Sequence, residues 1–168
     1  MLEKTTTYAI KTHQAVNHKY GENGYEYHLQ MVHEVAEKFI YLVAEEEREN
    51  VLCACWVHDI IEDARETYND VKKNTNETVA ELAFALTNEK GKNRDERAND
   101  KYYQEMQEMP NAVFIKYCDR IANIMYSKKQ GSGMFEKYKK ENDNFIRKTY
   151  RPELKDMVNY IEVLLENE

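Results

Sequence analysis

Residues 51–61 read VLCACWVHDII. Apart from His58 and Asp59 every side chain in this run is apolar, with none of the alternation that separates the two faces of a half-solvated strand. A run of this length that is apolar all round predicts a helix buried on every side. The chain around it supports a helical reading. Its 168 residues include only 5 Gly and 2 Pro, and no stretch alternates β-branched and polar residues. The fold class expected is therefore all-α, a compact bundle of roughly seven to nine helices. The length suits one domain spanning 1–168, since about 150 residues can bury roughly two-thirds of their unfolded surface.

Working outward, residues 25–44 form the helix before this run. Met31, Val32, Val35, Ala36, Phe39, Ile40 and Val43 recur there at helical spacing. Residues 45–50 make a charged corner. Further back, residues 5–19 read as a helix, and Tyr20 to Gly24, with two glycines in five residues, breaks it. Downstream, residues 62–69 leave the buried helix. Asn74 and Glu77 suggest a capping box for a helix over 77–86. NEKGK, 88–92, is a loop, and a charged helix is expected over 94–108. Pro110 suits the first position of a helix carrying AVFIKYCDRIANIMYS. The Gly-containing segment 130–133 links it to helices over 134–149 and 152–165.

Charge and composition narrow the function. The net charge of −7 disfavours nucleic acid, which needs a basic stripe. No apolar run approaches a membrane span, and residues 1–13 lack a signal-peptide core. Cys53, Cys55 and Cys118 are odd in number, and the first two sit in the apolar run. They are read as reduced packing residues of a cytoplasmic protein, with a Cys-x-Cys metal site as the alternative.

His58 and Asp59 are costly to bury unpaired, and a cation accepting lone pairs from both removes that cost. A hydrogen-bonded core pair is the simpler reading of the dipeptide alone. Glu62 and Asp63 follow four residues after each, so the two pairs share a face if the helix continues. Two extra carboxylates there suit general acid–base work, and a solvated helix end is their alternative. Lys116, Asp119 and Asn123 lie at spacings of three and four on one face of a helix with apolar flanks, so that Asp119 wants a cation, either a metal ion or the side chain of Lys116 or Arg120. At about 100° per residue, His28 lies roughly 40° or less from the apolar stripe of its helix and His33 well over 90° from its centre. His28 is expected to face inward and His33 to lie at the surface.

Tyr25-x-x-His28, His58-Asp-x-x-Glu-Asp63 and Lys116-x-x-Asp-Arg-x-x-Asn123, in this order, resemble the HD-domain phosphohydrolases, and most of all the RelA/SpoT-type (p)ppGpp hydrolase domains and their small stand-alone relatives. The resemblance spans about Tyr8 to Tyr126. The chain has Leu29 where that family commonly carries proline, and His18-Lys19 where it commonly carries Arg-Lys. The resemblance implies an HD-type helical architecture. It also implies a metal site of His28, His58, Asp59 and Asp119, catalytic Glu62 and Asp63, and substrate contacts from Lys19 and Asn123. No histidine follows His58, which favours one metal ion over two or three.

The activity expected is metal-dependent hydrolysis of a phosphorylated nucleotide. One divalent ion, Mn²⁺ first with Fe, Co or Zn as alternatives, would serve it, and Lys19, Lys116 or Arg120 would stabilise phosphate charge. By analogy with the family the leading substrate is (p)ppGpp losing its 3′-pyrophosphate. The alternatives are a nucleotidase or other nucleotide phosphatase, and a non-catalytic nucleotide-sensing module.

Overall fold

In the computed structural model, which describes residues 1–166, the helix predicted around VLCACWV is α3, Arg48–Val57, with Val51, Cys53, Ala54, Cys55, Trp56 and Val57 all buried. It is flanked by α1 (Leu2–Ala15), a hairpin of β1 (Lys19–Tyr20) and β2 (Asn23–Gly24), and α2 (Glu26–Phe39). After it come α4 (Ile60–Asp63), α5 (Tyr68–Asn74), α6 (Glu77–Ala85), α7 (Arg94–Arg97), α8 (Asp100–Gln107), α9 (Pro110–Lys129), α10 (Gly133–Thr149) and α11 (Lys155–Glu166). The all-α class is as expected. Among the described residues α4 and α7 are single turns, and nine longer helices make the bundle.

The longest helix, α9, is the centre. Pro110 opens it, where a missing N–H costs nothing. Phe114, Ile115, Ile121 and Ile124 are at most 1% exposed, and burying each such side chain is worth roughly 1.5–3 kcal/mol. Around α9 pack α2, α3, α6, α8, α10 and α11, and the buried apolar residues join into one cluster. Gly131, at φ 59°, ends α9 in a left-handed turn that other residues resist. Cys53, Cys55 and Cys118 are free and buried. No helix among the described residues is long and apolar enough to cross a membrane.

Several local expectations change. The first helix stops at Ala15, so Lys19 lies on the hairpin instead. The corner at 45–50 is a short 3₁₀ turn, Glu45–Glu47, from which α3 starts directly. The N-cap of α6 is Asn76, which accepts from the Val79 N–H, and not Asn74. The segment after Asp63 holds a further helix, α5, started by a capping box between Thr67 and Asp70. The charged helix expected over 94–108 is broken in two, because Asn99 caps a second start by accepting from the Tyr102 N–H.

Candidate metal centre

The chain turns at His58 and Asp59, between α3 and α4, although both residues keep right-handed helical angles. The turn leaves both side chains beside α2 and α9. His58 Nδ1 donates to the carbonyl of Cys55 one turn earlier, at 2.8 Å, which fixes the ring and leaves the Nε2 lone pair free. His28, in the first turn of α2, is 1% exposed. Asp119 is in the middle of α9. Ligand atoms of His28, His58 and Asp119 all lie within 4.8 Å of one another.

These atoms need a cation. Asp119 Oδ1 lies 3.1 Å from His28 Nε2 and 3.7 Å from His58 Nε2. His58 Nε2 is also 2.9 Å from Asp59 Oδ2, yet it is buried without a hydrogen-bond partner. With its Nδ1 proton committed to Cys55, this nitrogen offers only a lone pair to two carboxylates. Two imidazoles and a carboxylate, buried and convergent, are a donor set that fits a divalent transition-metal ion. The alternative is a proton. Burial opposes it, but the Asp59 and Asp119 charges outweigh burial and raise the imidazole of His58 well above its usual range. Burial likewise works against ionised Asp119 and is overcome by Lys116 and then by His28 and His58, so this carboxyl stays well below the usual range.

Asp59 stands beside this group rather than within it. Its Oδ2 accepts the hydroxyl proton of Tyr25, whose ring His18 covers face to face at 3.7 Å between centroids. Asp119 is held from both sides. Lys116 Nζ lies 3.2 Å from Oδ2, and Asn123 Nδ2 donates to Oδ1 at 2.7 Å. The Asn123 oxygen in turn accepts from Tyr20 at 2.7 Å. The ion pair and the convergence with His28 thus coexist, one on each carboxylate oxygen. Both Lys116 and Asn123 act on Asp119 while also lining the neighbouring cavity.

Glu62 accepts from the backbone N–H and the side-chain amide of Asn88, at 3.2 and 3.0 Å. Asp63 has its carboxyl pushed up to about 7, by burial first and then by the Asp59 and Glu62 charges. Lys19 is exposed on β1. His33 differs from expectation. It is 9% exposed, with its ring 5.7 Å from that of Trp56, because α3 covers the flank of α2 that the apolar stripe leaves out. It is not part of the His28, His58 and Asp119 group.

A cavity of about 500 Å³ opens beside Asp119, lined among others by Glu62, Arg94, Arg97, Lys116, Arg120 and Asn123. Arg120, expected to meet substrate, is 7% exposed and lies against the Phe145 ring, 4.1 Å from its centroid. Sequence reasoning missed Tyr138, Glu141 and Lys148, which line this space, and Tyr20, which bonds Asn123 on its wall. Glu141 sits in a polar stretch of mixed charge, EKYKKENDN, which carries no local signal.

No family model matches the sequence, and no curated protein matches it. Solved structures do. One is the structure of a metazoan ortholog of SpoT that hydrolyzes ppGpp and plays a role in starvation responses. It superposes with a TM-score of 0.74 over 95% of this chain and 92% of that one, at 20% identity. The chain therefore has the all-helical fold of that SpoT ortholog over nearly its whole length.

Proposed function

We propose that this protein is a metal-dependent phosphohydrolase acting on a phosphorylated nucleotide, with ppGpp as the leading substrate, cleaved to GDP and pyrophosphate. The observation that carries the reading is the buried His28, His58 and Asp119 group opening beside a cavity lined with cations. The fold shared with a ppGpp-hydrolysing protein supports it.

His28, His58 and Asp119 would hold one divalent ion, with Asp59, which lies beside them, turning in as the fourth ligand; Mn²⁺ is the ion proposed. Such an ion supplies Lewis acidity toward a phosphoryl oxygen and toward water. The chain's own groups do the rest. Glu62, steadied by Asn88, takes a proton from the attacking water as the water oxygen bonds to phosphorus. Asp63, its carboxyl pushed up to about 7, is partly protonated near neutral pH and in that form gives its proton to the 3′ oxygen as the P–O bond to the ribose breaks. Lys116 keeps Asp119 ionised, and Lys19 at the hairpin edge supplies a cation to the nucleotide.

The test is a nucleotide panel on metal-loaded protein, with orthophosphate and pyrophosphate release measured separately. Pyrophosphate and GDP from ppGpp support the reading. Orthophosphate from mononucleotides without activity on ppGpp would make the protein a nucleotidase on the same centre.

A further inference from the structure

Arg94 and Arg120 reach the same oxygen. Arg94 Nη2 donates to Glu141 Oε2 at 3.0 Å and Arg120 Nη1 to the same atom at 3.3 Å. The three residues come from α7, α9 and α10, and all three line the cavity beside Asp119. The Arg120 guanidinium is otherwise enclosed by the rings of Phe145 and Tyr138, at 4.1 and 4.8 Å from their centroids. Two further cations of the cavity wall have their own carboxylates, Lys116 with Asp119 and Lys148 with Asp100. Two converging guanidinium groups make the geometry that grips a phosphoryl oxyanion. Here the point of convergence is filled by a carboxylate of the chain itself.

We propose that Glu141 is a resident counter-anion that competes with a phosphoryl group of the ligand for Arg94 and Arg120, and so sets how tightly the cavity holds a polyphosphate. The proposal rests on the phosphohydrolase reading only for the molecule that brings the phosphate. Without Glu141, Arg120 would be a largely buried charge facing only aromatic rings, which is costly. With it, the arginines stay aligned, and an entering phosphate must share them with a like charge a few ångströms away. A polyphosphate reaching across the cavity meets this charge directly. The same competition weakens the grip on a released diphosphate.

The test is direct calorimetric binding of inorganic pyrophosphate to protein stripped of divalent ions, at fixed ionic strength. Glu141→Gln keeps the shape and an acceptor oxygen but removes the charge. It should bind pyrophosphate roughly tenfold more tightly than the wild type, as expected for removing one like charge at short range. Glu141→Ser carries the same expected sign should the glutamine variant fail to fold. Arg94→Gln should weaken binding, and the double variant Arg94→Gln, Glu141→Gln should lose most of the gain. A residue that merely braces the fold would leave affinity unchanged or lower it when replaced. Unchanged or weaker binding in the Glu141 variants, or unchanged binding in Arg94→Gln, overturns the proposal. The readout involves neither turnover nor metal, so it stands or falls separately from the hydrolase reading.

Discussion

The hydroxyl of Tyr25 donates to Oδ2 of Asp59, the same oxygen that lies 2.9 Å from Nε2 of His58. Burial and then the Asp59 charge hold the phenol protonated, so toward the carboxylate it is the donor. The bond orients the carboxylate beside the candidate metal centre. Tyr25→Phe should therefore weaken metal affinity by about 10–100-fold, the usual cost of losing a group that orients a ligand. Competition with a graded chelator measures this; unchanged affinity would show that Asp59 needs no such support.

Metal content tests the donor set. Purified protein should carry about one divalent ion per chain, and Asp119→Ala, His58→Ala or His28→Ala should lose it, because few donors remain. His33→Ala should retain the ion. It should instead lower thermal stability, since it empties a site packed against Trp56. Metal analysis after dialysis decides between these patterns, and full occupancy in Asp119→Ala would end the assignment.

Glu62 and Asp63 should separate from the ligands. Glu62→Gln and Asp63→Asn are expected to keep the ion and lose about 10²–10⁴-fold in turnover. An acid must be protonated to donate, so the wild-type rate should fall as pH rises through about 7, where Asp63 gives up its proton. Asp63→Asn should lack that limb. A wild-type rate in either variant at saturating metal would remove the residue from the chemistry.

His13 predicts a pH dependence of stability. It is fully buried, with its Nδ1 2.9 Å from that of His18. Burial lowers it from 6.5 to about 4, the Asp59 charge opposing and His18 assisting. The unfolded chain therefore binds the extra proton between these values. The associated stability is whole above 6.5 and is lost as pH falls toward 4, by up to about 3 kcal/mol. Denaturant unfolding between pH 4 and 7 should show a shallower slope in His13→Asn than in the wild type. Equal slopes would mean that His13 is charged in the fold.

Much of this is written locally. The apolar run of α3 has no face that water could occupy, so its sequence alone makes it a buried helix. Pro110 and the 130–133 linker mark the ends of α9 through backbone geometry. His28 points inward because the phase around a helix axis follows from residue spacing. The same argument failed for His33. The buried arc of α2 is wider than its apolar stripe, since both α3 and α9 pack on it, and only the packing says that Trp56 covers that flank. The partners inside the site were also out of reach of the sequence. Tyr25 meets Asp59 across 34 residues, and Arg94 meets Glu141 across 47. Spacing fixes where a side chain leaves its own helix. What it meets depends on which distant helix is brought opposite, and the shared burial of apolar surface across the bundle decides that.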